Sequence, residues 1–289
     1  MGRRVSEEGR RDIEHTLATM RTHLDAMKAH EPGVRSGADP EELHHMRTAT
    51  RRLRALLRAV RETFDPDEVA RLRGELKWLG ITLGAARDAD VQRDYLRGLR
   101  HLTRGERAAV QGLLRALERE RARTRESTLT ALDTPRYKTL LHDLDQLIEH
   151  PPIVDEDLSL RDIAARAFEN LRDAVEDLPE APSDHALHAV RLAVKRARYA
   201  GELARATAGR RAERFVTKAV RVQDILGEHQ DAAVTERRLR TALRDARRGA
   251  ARMTLRRLLA RQRGRRLAAR TAFFAQWPKL ERRGKRAWD

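Results

Sequence analysis

The 289-residue sequence carries 61 Lys and Arg against 44 Asp and Glu, a formal net charge of +17, with 40% hydrophobic and 4% aromatic residues. It is long enough for a substantial core, as one large domain or two smaller ones. The absence of cysteine excludes disulfides, thiolate metal sites and Cys nucleophiles, and no apolar run reaches the roughly 18–20 residues a membrane span needs. The first residues, Met1-Gly2-Arg3-Arg4-Val5-Ser6-Glu7-Glu8, lack the apolar segment of a secretory signal, so a cytoplasmic location without membrane attachment is expected.

Ala and Leu dominate the apolar set, and long stretches are free of both Pro and Gly, which suits an all-α fold. The first periodic segment covers about 7–30, with Ile13, Leu17, Met20, Leu24 and Met27 at helical spacing, and Glu31-Pro32-Gly33 is expected to stop it. A helix follows over about 41–64. Asp65-Pro66-Asp67 restarts the chain as a third helix ending near Gly84, and further helices are expected over about 88–101 and 105–132. A shorter one begins after Pro135 and ends at His150-Pro151-Pro152, the strongest break in the sequence, before the acidic loop Asp155-Glu156-Asp157. The series then starts again, with helices over about 159–178 and 184–207, one running to Leu226, and two over about 231–244 and 247–275.

Two segments share one pattern. Leu43-His44-His45-Met46-Arg47-Thr48-Ala49-Thr50-Arg51-Arg52-Leu53-Arg54 and Leu187-His188-Ala189-Val190-Arg191-Leu192-Ala193-Val194-Lys195-Arg196-Ala197-Arg198 both read L-H-x-φ-R-x-A-x-[RK]-R-x-R, φ being apolar. The second lies 144 residues after the first. At nearly the same offset, 143 residues, Leu83-Gly84-x-x-x-Asp88-x-x-Val91 matches Leu226-Gly227-x-x-x-Asp231-x-x-Val234. Two motifs repeated in one order mark an internal duplication. The chain is expected to form two homologous helical halves, about 7–150 and 157–277, related by a pseudo-twofold axis within one domain of 7–277, followed by a basic tail, 278–289, that holds Arg282-Arg283-Gly284-Lys285-Arg286.

Helical rotation decides where the duplicated charges point. With His44 at 0°, Arg47, Arg51, Arg54 and Arg58 fall at about 300°, 340°, 280° and 320°, whereas Met46, Ala49, Leu53, Leu56, Leu57 and Val60 fall between about 120° and 220°. One helix thus has a core face and a cationic face. Like charges one turn apart cost about a few tenths of a kcal/mol per pair, a cost that a bound anion reverses. His188, Arg191, Lys195 and Arg198 repeat the stripe, but Glu202 stands where Arg58 would be, shortening it or pairing within it. Arg52 and Arg196, next to the third charge of each stripe, complete the set. Arg73 with Lys77, and Arg214 with Lys218 and Arg221, add cations at helical spacing after each stripe and are expected to line the same groove.

Other constellations carry weaker signals. Asp184-His185-x-x-His188 resembles part of a metal site but lacks a third ligand at a suitable spacing, and Asp184 is better read as a helix N-cap. Asp88 and Asp231 each follow a Gly expected to end a helix, so capping explains them better than acid/base chemistry. No P-loop, His-Glu-x-x-His or Gly-x-Ser-x-Gly occurs. No cofactor, metal or catalytic residue is expected.

With both motifs in both halves, the chain resembles the conserved histidine α-helical domain family, CHAD, in its stand-alone form. The resemblance implies an all-α fold of two helical-bundle halves around a basic central channel, and non-catalytic binding of inorganic polyphosphate. It carries the ligand role onto His44, Arg47, Arg51, Arg54, His188, Arg191, Lys195 and Arg198. CHAD is often joined to a triphosphate-tunnel catalytic domain, whose strand pattern is absent from this sequence. Polyphosphate has a charge at every link and no bases, so it calls for guanidinium forks rather than the aromatic platforms of single-strand nucleic-acid binders, and aromatics are scarce here. The alternatives are a general nucleic-acid-binding protein that grips phosphodiester backbones, or a scaffold whose basic channel meets an acidic protein; weak nucleic-acid binding beside polyphosphate is also expected. Recruitment to polyphosphate granules would be a biological consequence.

Overall fold

The computed structural model describes residues 7–99, 103–245 and 249–288, and among these it is built from nine helices. They are α1 (Glu7–Ser36), α2 (Pro40–Ala59), α3 (Pro66–Arg97), α4 (Arg104–Asp133), α5 (Pro135–Glu149), α6 (Leu160–Glu176), α7 (Asp184–Leu203), α8 (Arg205–Asp245) and α9 (Ala250–Trp288). The chain divides into two compact units. Unit 1 takes in residues up to Leu99 and Leu114–Ser159; unit 2 takes in the stretch ending at Leu113 and the residues from Leu160 on. The division falls inside α4.

In unit 1, α2 packs between α1 and α3. The apolar positions read from periodicity are the ones buried: Met46, Ala49, Leu53, Leu56, Leu57 and Val60 on α2, and Ile13, Met20, Leu24 and Met27 on α1, with Leu17 half-buried. Asp39 caps α2 by accepting from the Glu41 N–H, and Pro40 occupies the first turn, where its missing N–H costs nothing. The acidic loop after α5 returns to the α2–α3 turn, where the Val154 N–H donates to the Thr63 carbonyl at 2.8 Å and the Asp65 N–H to that of Pro152 at 2.8 Å.

α1 does not stop at Glu31-Pro32-Gly33 but continues to Ser36. Side chains around the proline explain this. Glu31 accepts from the Tyr137 hydroxyl at 2.8 Å and from Arg35 at 2.8 Å, while Arg35 also pairs with Asp133 at 2.5 Å. Arg125 of α4 then donates to the last carbonyls, Arg35 at 2.7 Å and Ser36 at 3.2 Å, and Gly37 turns the chain at φ 68°. Burial, with Glu31 beside it, raises the Tyr137 pKa and keeps that phenol a donor.

Four further boundaries differ from the sequence expectation. Gly84 and Gly227 lie inside α3 and α8, so neither ends a helix and neither Asp88 nor Asp231 caps one. α7 is capped by Ser183, whose hydroxyl accepts from the Ala186 N–H, and Asp184 is its first helical residue rather than its cap. The residues set apart as a basic tail continue α9 to Trp288. The helix end expected at His101 and the start expected at Arg247 lie outside the described residues.

In unit 2, α8 packs on both α7 and α9. α8 is broken near its start at Gly209, whose φ of 59° suits glycine alone without strain. α9 passes through Pro278 and is held beyond it by burial of Leu280, Gly284, Ala287 and Trp288, with the Trp288 ring edge-on to Phe215 at 5.6 Å. Trp277 lies near Phe273 in the same unit, ring centroids 6.4 Å apart, whereas Trp78 in unit 1 lies under the Arg136 guanidinium at 4.2 Å. No helix among the described residues is long and apolar enough to cross a membrane.

Candidate functional site

Each basic stripe lies on a helix whose opposite side is core, so the cations are half-buried or exposed while the apolar residues between them are sealed. In unit 1 the Arg47 guanidinium lies against Gly84 of α3; a Cβ at that glycine would be 3.5 Å from its Nη2. The same guanidinium is 3.7 Å from Asp88. In unit 2 Arg191 lies against Gly227, where a Cβ would be 3.9 Å from its Nη2. The two repeated motifs therefore meet in both units, the arginine of one resting on the glycine of the other. A tertiary seat is what the repeated glycine provides.

The histidines carry the electrostatic record of the stripes. His44 has its pKa lowered, first by burial and then by Arg87, with Glu41 acting in the opposite sense and His45 and Arg51 adding to the depression. Arg87 of α3 pairs with Glu41 at 3.2 Å. His188 is lowered likewise, first by burial and then by Arg191, Lys195 and His185, against a hydrogen bond with Gln230 at 3.1 Å. Arg87 and Gln230 occupy matching places three residues after the two glycines; one is charged, the other neutral. Sequence reading missed both, although the fixed spacing from Gly84 and Gly227 would have pointed to them.

The remaining expected residues divide by position. Arg51 is half-buried and Arg54 and Arg58 are exposed along the α2 stripe. Arg73 and Lys77 stand within about 20° of Gly84 around α3, so they share the seat's face. Arg52 and Arg196 are rotated about 80° from their histidines. Arg52 acts instead on His23 of α1, whose pKa is pushed down to about 4 by burial and by that guanidinium. Arg198 is drawn inward: its side chain is only 12% exposed, pairs with Glu202 at 3.4 Å and lies 4.6 Å from the Tyr199 ring centroid. Arg214, Lys218 and Arg221 stand about 120–180° around α8 from Gly227.

Asp90 is buried and bonded by the Arg121 guanidinium of α4 at 2.8 Å, a structural pairing. Among the described residues no group of three or more His, Asp or Glu is placed to hold a metal ion.

The model of the CHAD domain matches residues 18–240. Among curated proteins the chain is 31% identical over 212 residues to Uncharacterized protein Rv2226 of Mycobacterium tuberculosis strain H37Rv and to its counterpart MT2285 of strain CDC 1551, covering 69% of this chain. The chain matches only 40% of the length of those relatives. Among solved structures it resembles PptA from Streptomyces chartreusis, with a TM-score of 0.78 and 26% identity over 94% of this chain and 100% of that one. It also resembles the CHAD domain of the plant Ricinus communis, with a TM-score of 0.72 and 26% identity over 91% and 90% of the two chains. The all-α architecture, the twice-repeated stripe and these matches together make the chain a member of the CHAD domain family.

Proposed function

We propose that the protein binds inorganic polyphosphate without catalysis, through the basic stripe that each unit carries. The arginine-on-glycine seat, found once in each unit, carries this reading: it brings a guanidinium to a surface kept open by a residue without a side chain. Around each seat a histidine pKa is depressed first by burial and further by neighbouring cations, and the field of those cations favours an anion. Charge-assisted hydrogen bonds from Arg47, Arg51 and Arg54, and from Arg191 and Lys195, would neutralise successive phosphates. His44 and His188 add donors at the stripe ends. Recruitment to polyphosphate granules in the cytoplasm is the biological role this binding would serve.

The test is a competition in which labelled long-chain polyphosphate is displaced by unlabelled polyphosphate, duplex DNA or RNA at equal phosphate concentration, over about 50 to 200 mM salt. Polyphosphate should win by orders of magnitude at the high-salt end. Changing Arg47 and Arg51, or Arg191 and Lys195, to Glu should abolish binding and leave the helical circular dichroism intact. Equal competition by all three polymers would instead favour a nucleic-acid-backbone reading.

A further inference from the structure

Unit 2 contains a second cationic pocket, of about 360 Å³, built from α8, α9 and the first turn of α7. Its anchor is Glu236, whose side chain is 2% exposed. One Glu236 oxygen accepts from Arg240 at 2.6 Å and from Arg263 at 3.3 Å; the other accepts from Arg266, which also reaches Asp184 at 2.5 Å. Burial alone would push the Glu236 pKa up, but the guanidiniums of Arg266 and Arg263 outweigh it and hold the carboxyl below its ordinary value. Arg270 completes the lining and donates to the Glu180 carbonyl at 2.9 Å.

Charge and hydrogen bonding in this pocket do not balance. Four guanidiniums face two carboxylates, and His229 is held toward its neutral form, first by burial and then by Arg266 and Arg270 against Asp184. Two positive charges remain in excess. Arg263 commits only its Nε, and Arg240 and Arg270 one terminal nitrogen each, so three forks keep N–H groups that no acceptor among the described residues uses. The buried carboxylate has already ordered two of those arginines, which lowers the entropic cost of gripping a ligand. Donors arriving from separate side chains suit a tetrahedral oxyanion better than a planar carboxylate, which a single fork satisfies.

We infer that this α8–α9 pocket is a second anion site, taking a doubly charged phosphoryl group on Arg240, Arg263 and Arg270. The group is either free orthophosphate or the end of a short polyphosphate. The site shares no residue with the stripes and does not depend on the stripe reading.

The full chain is titrated calorimetrically near neutral pH with sodium phosphate and, separately, with inorganic triphosphate, each against sodium chloride of matched ionic strength. The variants are Arg240→Gln/Arg263→Gln, Arg270→Gln alone, and Arg71→Gln, an exposed partner of Asp143 outside both the pocket and the stripes, as the charge-matched control. Arg240 and Arg263 are 54% and 63% exposed, and Glu236 keeps Arg266 as its partner without them. Saturable phosphate binding is expected, weakened at least tenfold in the double variant and unchanged in Arg71→Gln. Triphosphate binding tighter than orthophosphate, with the same dependence on the variants, identifies a chain end; affinity that does not rise identifies free phosphate. If the double variant loses its helical signal, Arg270→Gln decides by the same criterion. Binding that does not saturate, that ignores the pocket variants, or that falls equally with Arg71→Gln overturns the assignment. Long polyphosphate is absent from these titrations, so their failure is separable from failure of the stripe reading.

Discussion

Gly84 lacks a side chain at the spot where the Arg47 guanidinium rests, and this makes size at that position a test of the seat. A Cβ would sit at ordinary contact distance, 3.5 Å from the nearest nitrogen. Gly84→Ala should therefore stabilise α3 by about 1 kcal/mol through helix propensity and leave polyphosphate affinity nearly unchanged. Gly84→Leu should displace the guanidinium and weaken affinity by about tenfold, roughly 1.4 kcal/mol. Thermal unfolding and binding titrations on the two variants separate these effects. The histidines give the second residue-scale prediction. In the free protein the pKa values of His44 and His188 are lowered by burial and by cations; a polyanion on the stripe opposes the cations and raises them. Binding then takes up protons between the free and bound pKa values, so affinity should strengthen as pH falls through that window. Imidazole NMR titrations with and without polyphosphate check the sign, and His44→Gln with His188→Gln should flatten the pH dependence of binding. The stripes were legible in the sequence because their spacing is a local helical property. The seats were not, because a glycine inside a helix looks like a stop until the arginine that occupies its vacant side is known.

At the scale of the helix, Pro32, Gly84 and Gly227 all looked like punctuation, and each lies within a helix, as Pro278 does in α9. Long-range contacts outweigh local propensity at each end that can be followed: Tyr137, Asp133 and Arg125 hold α1 beyond its proline, and a buried strip holds α9 beyond its own. Ser183 displaces Asp184 as the α7 cap by a single residue, and either side chain is chemically suited to the role. What decides is that Asp184 is taken by Arg266. The end of α9 yields a sharp prediction. A Cβ on Gly284 would come within 2.1 Å of the Phe168 ring, which is itself fully buried, so the ring has nowhere to retreat. Gly284→Ala should cost about 1–3 kcal/mol of stability despite the better helix propensity of alanine, as measured by chemical denaturation.

Across the whole molecule the formal charge of +17 sets two responses to salt against each other. Without ligand, added salt screens self-repulsion among the cations and should raise the unfolding temperature. With polyphosphate present, the same salt competes for the stripes and should lower affinity along a linear log–log slope. A melting series in sodium chloride, with and without polyphosphate, should therefore show opposite trends at low salt; parallel trends would mean that internal ion pairs, which salt also weakens, outweigh the self-repulsion of the excess cations. Such pairs are numerous, as the exposed Arg71–Asp143 and Arg257–Glu106 contacts illustrate, but each contributes little on its own. The scarcity of aromatic residues, which argued against base stacking, also provides an optical label. Unit 1 contains a single indole, Trp78 beneath a guanidinium, and unit 2 contains Trp277 and the buried Trp288. Ultraviolet emission from this chain is therefore a two-colour record in principle: replacing Trp277 and Trp288 with Phe leaves a fluorophore that watches one unit melt while the other is silent.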